Sequence, residues 1–526
     1  MLQALSESLK SPLNYCGEAI LGRCYLTEEP QDAYLVILIK KVCTVALVII
    51  FSIGAITTTP FWFVGDLIEM VDQGNAPFKE PKYPTPKDPD SLDPKTTEYF
   101  GSSLSTYQNT SDSEFCKNSD WGRYVENHKE DKDFIPPGLG VDILTDDGLA
   151  QLITSTLEMN GNTRRFSVEW ADIRNEDGSF NDVAMEQYVH VAKTLKEAGI
   201  IPIVSLHHFV TPLDKNGQML FETPEGVEQY LEFATYVYEH LSDHVDHYVT
   251  FNELHVNAVE NYIRGVFPAG GIANFYTYTQ VTRRKLEAHA QVHKKLHEMA
   301  EESGKSIQVG LTHQPIMMAT TSRWNYLARI VAFVFTYLFH NAFMNWAKEN
   351  TSSLDLLGVQ FYTTPLISGV IPDSTCREGQ KMVEPMHFRF YPQGIYLVLQ
   401  DIHTKLGDKV PLMFTETGTA GENDVEGDVD DEMDQRREEY FDESTKMVRA
   451  AQDSGINVVG YLVWSLFRNF EWPFGCSKDH DFGIVARDPE TRKIRHTAGY
   501  HKLTQVFRNT REESARQQRR RAARTH

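Results

Sequence analysis

Two short acidic motifs in this 526-residue chain could together do chemistry. Thr250–Glu253 (TFNE) and Thr415–Gly418 (TETG) each follow an apolar, β-prone run, and each carries a glutamate. Two carboxyl groups that flank a bound sugar can cleave a glycosidic bond, because one attacks the anomeric carbon while the other protonates the leaving oxygen and then activates water. Glu253 and Glu416 are 163 residues apart in sequence, so the fold must bring them together for that chemistry.

Other side chains could set the ionisation of such a pair and hold its substrate. The attacking carboxylate must stay charged, whereas the acid needs a raised pKa. Arg165 would stabilise a charged Glu416 if it lay nearby, and Tyr362 could donate a hydrogen bond to the same group. Sugars also need polar partners and flat apolar faces. The candidate polar partners are Gln108, His208, Asn252 and Glu471. The candidate flat apolar faces are Trp464 and Trp472.

Eight apolar, β-prone runs predict the strands that would position these residues. They are Tyr99–Tyr107, Arg164–Trp170, Ile201–His207, His247–Thr250, Ile307–Thr312, Leu354–Tyr362, Pro411–Thr415 and Val458–Ser465. Helical periodicity lies between them, for example in Met185–Ala198, Val227–Leu241, Lys285–Met299 and Arg436–Ser454. This alternation predicts an α/β fold, a (β/α)8 TIM barrel with insertions. A doubly wound open sheet is the alternative, although no G-x-G-x-x-G follows the first strand.

The polar candidates cluster at predicted strand ends, where barrel enzymes carry their chemistry. Arg165 is the exception, since it lies near the start of the second predicted strand. Those at or near strand ends are Gln108, His208, Asn252, Glu253, Tyr362, Glu416 and Trp464. The sequence therefore predicts that they meet at one end of a barrel.

Charge and cysteine content narrow the classes of partner. With 73 acidic against 51 basic residues, the formal net charge is −22, which argues against nucleic acid as a partner. None of the six cysteines has metal-ligand spacing. Carboxylate-based sugar chemistry needs no cofactor, and the sequence suggests neither an organic cofactor nor a metal. It gives no indication of an oligomeric state.

An uncharged run at residues 42–64 predicts a transmembrane helix, because about 20 apolar residues span the hydrocarbon core. Lys40 and Lys41 precede the run and acidic residues follow it. This asymmetry predicts a single-pass protein whose main domain lies on the non-cytosolic side. A buried core helix is the alternative.

The remaining segments complete the predicted organisation. Residues 1–41 form an N-terminal segment, residues 65–95 a linker, residues 96–508 the barrel domain, and residues 509–526 a basic disordered tail. A second apolar run, residues 330–339, is too short to cross a bilayer. It predicts either a buried helix or a membrane-facing patch.

Taken in order, the motifs resemble those of glycoside hydrolase family 1, the β-glucosidase and β-galactosidase family. The similar stretches are NSDWGRY (118–124), RRFSVEW (164–170), PIVSLHHFVTP (202–212), TFNEL (250–254), LDLLGVQFYT (354–363), FTETG (414–418), YLVWSLFRNFEWPFG (461–475) and DFGIVARDPETRKIRHTAGYHK (481–502). The resemblance implies that Glu253 is the acid/base and Glu416 the nucleophile. It further implies that the sugar is held by Gln108, His208, Asn252, Glu471 and Trp472, with Trp464 as platform.

The resemblance also bears on the substrate. Glu471 favours a non-phosphorylated sugar, because phosphoglycosidases of the family tend to have serine at that position. Leu254, Gln360 and Thr417 depart from the family pattern. Both glutamates are kept, so these departures concern the choice of substrate more than the reaction.

Three functions are compatible with the sequence. The first is a membrane-anchored retaining β-glycosidase acting on β-glucosides or β-galactosides. The second is a glycolipid transglycosylase, because the membrane segment and FYPQGIYLVL (390–399) resemble those of plant-type galactolipid galactosyltransferases, and an alcohol can replace water as the second nucleophile. The third is an inactive family member that binds a sugar or a protein.

Overall fold

A computed structural model describes most of the chain beyond its first 82 residues. The described residues are 83–523 except 113, 132–133, 139, 321–324, 368–381, 384–387, 422–431, 489–490 and 492. The predicted N-terminal segment 1–41, the predicted transmembrane helix 42–64 and most of the predicted linker lie outside them.

Eight parallel strands close into a barrel. They are β1 (Tyr99–Ser103), β2 (Thr163–Ser167), β3 (Ile201–Ser205), β4 (His247–Val249), β5 (Gln308–His313), β6 (Leu357–Phe361), β7 (Leu412–Thr417) and β8 (Val458–Val463). Neighbours in sequence are neighbours in space, and β8 closes onto β1 with Tyr99 opposite Gly460. The predicted (β/α)8 barrel is confirmed. The first strand is shorter than predicted, because the chain turns into a short helix at Thr106.

Helices separate successive strands along the chain, as the βαβ arrangement requires. They are α1 (Thr106–Asn109), α2 (Asp120–His128), α3 (Asp146–Glu158), α4 (Trp170–Ile173), α5 (Asp182–Glu197), α6 (Glu225–Leu241), α7 (Leu254–Tyr262), α8 (Phe275–Glu302), α9 (Tyr326–Thr336), α10 (Ala342–Glu349), α11 (Gly394–Leu406), α12 (Glu432–Asp453) and α13 (Ala498–Ala522). A π-helical turn, Tyr337–Asn341, joins α9 to α10. Each of the four stretches predicted from periodicity lies largely within one of these helices.

Apolar side chains fill one layer of the barrel interior, and polar ones lie above it toward the strand ends. The apolar layer consists of Tyr99, Ile203, Val249, Met413 and Leu462 from the strands and of Leu356, which directly precedes β6. Beyond this layer the inward-facing side chains include Arg165 of β2 and Glu416 of β7, both buried. The barrel therefore has a packed floor beneath a polar chamber.

The basic tail differs from its prediction. Residues 509–526 were expected to be disordered, but α13 continues through Ala522. Arginine, glutamate and glutamine are good helix formers, and they pair four residues apart along this helix. Glu512 accepts a hydrogen bond from Arg516 at 3.1 Å. The sequence was too low in apolar residues to predict this extension.

Part of the predicted linker also belongs to the folded domain. Leu92 is fully buried, and its amide donates to Thr510 Oγ1 of α13 at 3.0 Å. The Arg449 guanidinium donates to Ser91 Oγ and to the Leu92 carbonyl, both at 3.1 Å. The folded domain therefore begins before residue 96, where its boundary was predicted.

The chain divides into two compact units. Among the described residues, the larger unit comprises those in 83–319, in 335–366 and from 382 onward and contains the barrel, while the smaller unit comprises residues 320, 325–334 and 367. In the described part of the chain, one helical stretch, Ala328–Glu349, has the length and composition to cross a membrane. It includes the apolar run 330–339, and 56% of its most apolar window is buried. Mostly buried core helices of soluble proteins share these properties.

Candidate active site

Arg165 lies at the centre of the polar chamber and uses all three of its guanidinium nitrogens. Nε donates to Ser205 Oγ at 2.8 Å, Nη1 to Glu416 Oε1 at 2.6 Å, and Nη2 to Asn252 Oδ1 at 2.6 Å. The Arg165 side chain is fully buried. One cation therefore joins β2 to the end of β3, to the turn after β4 and to β7.

Glu416 is held by donors on both carboxylate oxygens. Besides the Arg165 contact to Oε1, the Tyr362 hydroxyl donates to Oε2 at 2.8 Å. Burial raises the pKa of Glu416, while the charge of Arg165 and the hydrogen bond from Tyr362 oppose that rise. Both contacts anticipated for Glu416 are present, and both favour its charged form.

Glu253 lies in the turn after β4, three strands around the barrel from Glu416 on β7, and its environment is different. Its backbone is left-handed, with φ of 42°, at the start of α7, and its amide donates to Thr312 Oγ1 at 3.1 Å. The Glu253 Oε1 atom is buried and has no hydrogen-bond partner among the described residues. Burial, followed by the charge of Glu416, raises the pKa of Glu253 well above its usual value. The pair therefore favours a proton on Glu253 and a charge on Glu416.

Asn252 determines which ring nitrogen of His208 carries the proton. Its Oδ1 accepts from Arg165, from Gln360 Nε2 at 2.6 Å and from Thr312 Oγ1 at 2.9 Å, which identifies that atom as the oxygen. Its Nδ2 must then donate to His208 Nε2, at 3.1 Å. Burial lowers the pKa of His208 well below its usual value, so the ring is neutral with its proton on Nδ1.

Three further polar atoms beside the two glutamates are buried and have no hydrogen-bond partner among the described residues. They are His208 Nδ1, Gln108 Oε1 and Glu471 Oε2. Gln108 is oriented by its other amide atom, because Nε2 donates to the Phe470 carbonyl at 2.6 Å. Burial, and then the charge of Glu416, raises the pKa of Glu471 to about 8. Buried polar groups normally have partners, so this set fits a hydroxyl-rich ligand.

Two tryptophans supply the flat surfaces. Trp464 and Trp472 both stack on the His208 ring, with centroid distances of 5.6 Å and 6.1 Å. Trp464 packs with Ala420 and Phe482, and Trp472 belongs to a separate aromatic cluster behind the site. The structure thus brings the predicted site residues into one chamber at the carboxyl ends of the strands.

The sequence of the whole barrel identifies its family. The family model described as Glycosyl hydrolase family 1 matches residues 100–345 and 348–510. The chain belongs to this family. It is accordingly a glycosidase, and the resemblance drawn from the motifs is confirmed.

Among family 1 relatives, 1,4-beta-D-glucan glucohydrolase of Thermotoga neapolitana is 27% identical over 356 residues, covering 62% of this chain and 82% of its own. The chloroplastic galactolipid galactosyltransferase of Arabidopsis thaliana is 26% identical over 373 residues, covering 66% of this chain and 54% of its own. The solved structure of Thermotoga maritima beta-glucosidase in complex with cyclophellitol shares the fold, with a TM-score of 0.65 and 23% identity over 81% of this chain and 99% of that one.

Two residues that depart from the family 1 pattern have structural explanations. Thr417 follows Glu416, but its hydroxyl contacts the Tyr440 hydroxyl of α12 at 2.9 Å. Gln360 donates to Asn252 Oδ1 and so helps to orient the strand-4 motif. Sequence reasoning noted Gln360 only as a departure and missed Thr312 and Ser205. Alternate residues of a strand face the barrel interior, and this periodicity could have predicted that Thr312 and Ser205 point toward the site.

No metal-binding cluster lies at this site among the described residues. The described part of the chain contains one group of three side chains with suitable ligand spacing, His293, His297 and Asp355. Asp355 precedes β6, so the group lies toward the amino-terminal ends of the strands.

Proposed function

We propose that this protein is a membrane-anchored retaining β-glycosidase that hydrolyses non-phosphorylated β-glucosides or β-galactosides. The observation that supports this most directly is the unequal treatment of the two glutamates. Glu416 receives hydrogen bonds from Arg165 and Tyr362, while Glu253 has its pKa raised well above its usual range by burial and by Glu416. A retaining mechanism needs one charged and one protonated carboxyl group.

In the proposed mechanism, Glu416 attacks the anomeric carbon while Glu253 gives its proton to the departing glycosidic oxygen. The C–O bond to the leaving group breaks as the ester to Glu416 forms. Forming the ester removes the charge from Glu416, so Glu253, now a carboxylate, can take a proton from water. That water attacks the anomeric carbon, releases Glu416 and restores the starting configuration.

The unpartnered atoms account for sugar binding in this proposal. His208 Nδ1 donates to one hydroxyl, and Gln108 Oε1 accepts from another. Protonated Glu471 can donate or accept, since burial raises its pKa to about 8. A phosphate at the same place would meet Glu471 together with the charge of Glu416, and like charges in a buried site repel strongly. A neutral sugar is therefore the better fit.

The proposal is tested by replacing the nucleophile. Glu416→Gln should lower kcat/KM for an aryl β-glucoside or β-galactoside by at least about 10³-fold, because it removes the covalent step. In Glu416→Gly, azide should restore release of the aglycone and give the α-glycosyl azide, since one displacement inverts the anomeric carbon. The control is Glu197→Gln, which changes an exposed glutamate of α5.

Either of two results would contradict the proposal. Full activity in Glu416→Gln excludes this residue as nucleophile. Wild-type protein whose first-formed product has the inverted anomeric configuration, seen by proton NMR, excludes a retaining mechanism. Binding of sugar without turnover on a broad β-glycoside panel would instead favour the inactive family member.

A second candidate keeps the same two carboxyl groups and changes the acceptor. It rests on the similarity to a relative named as a galactolipid galactosyltransferase. In this case the hydroxyl of a second glycolipid replaces water in the second step. Incubation with a galactolipid in detergent, followed by mass spectrometry, separates the two functions. Lipids that carry extra sugars support the transferase, whereas free sugar alone supports the hydrolase.

A further inference from the structure

Two histidines one turn apart on α8 face an aspartate from another part of the chain. His293 Nε2 lies 3.3 Å from Asp355 Oδ1, and His297 Nε2 lies 2.7 Å from Asp355 Oδ2. One ligand atom from each of the three residues lies within 4.8 Å of the others. Side chains four residues apart share a helix face, so both imidazoles point at the same carboxylate.

The carboxylate is positioned by its own backbone contact. The Val309 amide of β5 donates to Asp355 Oδ2 at 2.8 Å. Asp355 is therefore held between α8 and β5.

His289 lies one turn earlier on α8 and contacts other residues than Asp355. Its Nδ1 contacts Thr250 Oγ1 at 2.7 Å, and its Nε2 contacts the Ser353 carbonyl at 2.8 Å. Both ring nitrogens are therefore engaged, and His289 is fully buried. The two histidines nearer the end of the helix face the carboxylate instead, with side-chain exposures of 13% for His293 and 37% for His297.

We propose that His293, His297 and Asp355 form a binding site for a divalent transition-metal ion of the zinc class. Two imidazole nitrogens and one carboxylate oxygen suit Zn²⁺, whereas Ca²⁺ and Mg²⁺ prefer oxygen ligands throughout. Metal–ligand bonds of about 2.0–2.2 Å in a tetrahedral site separate the ligand atoms by roughly 3.3–3.6 Å. In the present structure the two imidazole nitrogens contact different oxygens of Asp355, at 3.3 Å and 2.7 Å, and the three ligand atoms lie within 4.8 Å of one another. Side-chain shifts of about 1–1.5 Å would bring them to this geometry.

The partial exposure of His297 and Asp355 leaves room for a water molecule as fourth ligand. The ion would join the second half of α8 to the segment before β6, at the end of the barrel opposite Glu253 and Glu416. A ligand that binds the folded state raises its stability. The site is therefore structural, and it is independent of the glycosidase chemistry.

The test uses the untagged full-length protein, stripped with a chelator and titrated with ZnCl₂ by calorimetry. Wild-type protein should bind one more zinc ion per chain than His293→Asn/His297→Asn, and zinc should raise its melting temperature by about 2–4 °C. The matched control is His190→Asn, which removes a histidine paired with one aspartate, Asp146, at 3.2 Å. The control should keep the wild-type stoichiometry and the melting shift.

A single His297→Asn variant guards against misfolding of the double variant, since His297 is the more exposed of the pair. Its circular dichroism spectrum should match wild type while its zinc affinity falls by at least 10-fold, about 1.4 kcal/mol. Equal zinc binding by wild-type, single and double variants would overturn the proposal. So would loss of the same zinc in His190→Asn.

Discussion

Which of two buried glutamates keeps its proton depends on a few neighbouring side chains. Two of these contacts followed from the sequence, because Arg165 and Tyr362 were expected beside Glu416 and are found there. The roles of Thr312 and Gln360 did not follow from it. Both donate to Asn252 Oδ1 from strands β5 and β6, and only the register between strands determines which of their side chains reach it.

Tyr362 provides a test at this scale. Tyr362→Phe removes a hydrogen bond to the charged form of Glu416, so the pKa of Glu416 should rise. The acidic limb of the pH profile of kcat/KM should therefore move to higher pH. Because a hydrogen bond to a charged group contributes about 1.5–3 kcal/mol, kcat/KM at the optimum should fall by roughly 10- to 160-fold.

Tyr500→Phe is the control for this substitution. It also removes a buried tyrosine hydroxyl, one that donates to the Ser155 carbonyl at 3.0 Å outside the site. Its pH profile should match that of wild type. An unmoved acidic limb in Tyr362→Phe would show that Tyr362 does not control the ionisation of Glu416.

At the scale of helices and strands, the sequence predicted the alternating strands and helices of the barrel. It did not predict segments whose structure depends on contacts with the rest of the domain. The eight strands were visible because each is an apolar run between helical patterns. The extent of α13 was not visible, because its last turns contain Arg519, Arg520 and Arg521 and present no apolar face. Residues 83–95 were assigned to a linker from their composition, although Leu92 is buried against the domain.

The contribution of the N-cap of α13 to stability can be tested. Thr497 is fully buried, its hydroxyl accepts from the Tyr500 amide at 3.3 Å, and it donates to the Ile484 carbonyl at 2.7 Å. Thr497→Ala removes this N-cap and should lower the free energy of unfolding by about 1–2 kcal/mol. Thermal denaturation followed by circular dichroism measures the change.

Thr504→Ala in the same helix is the matched comparison. The Thr504 hydroxyl donates to the Tyr500 carbonyl within the helix at 2.8 Å. Alanine has the higher helix propensity, so this variant should melt within about 1 °C of wild type or slightly above it. Equal destabilisation by both substitutions would mean that the cap contributes nothing specific.

At the scale of the whole molecule, several buried carboxyl groups link stability to pH. Burial raises the pKa of Asp120 and Glu169 to about 7, of Asp172 to about 6 and of Glu471 to about 8. Between about pH 4 and these values the folded chain holds protons that the unfolded chain releases. Stability from these groups is therefore complete at low pH and is lost as pH rises through the folded pKa values.

Glu169→Gln should weaken this dependence. Glu169 accepts from the Tyr107 amide at 3.2 Å and is buried, and glutamine keeps an acceptor there without a charge. Relative to wild type, the variant should gain up to about 3 kcal/mol between pH 5 and pH 8. Melting temperatures measured across that range give the comparison, and the exposed Glu197→Gln should keep the wild-type slope. If the melting temperature of Glu169→Gln changed with pH as steeply as that of wild type, the raised pKa of Glu169 would not be the source of this dependence.

The proposed membrane anchoring by residues 42–64 is also tested on the whole chain. A protein that starts at residue 83 should remain in the supernatant after cell membranes are pelleted, and it should keep its glycosidase activity. A protein that lacks only residues 1–41 keeps the apolar run and should resist extraction by alkaline carbonate. Sedimentation of the shorter protein with membranes would point instead to the apolar run 330–339.

Arg165 has a consequence for anyone who wishes to redesign this enzyme. Because its three nitrogens bind Ser205, Asn252 and Glu416 at once, a change in any one of these partners alters the fit of the other two. Substitutions among the four positions should be strongly non-additive, and single-step selection would seldom find a route through them. New specificities are better sought in the loops that rim the chamber, where each substitution can be accepted or rejected separately.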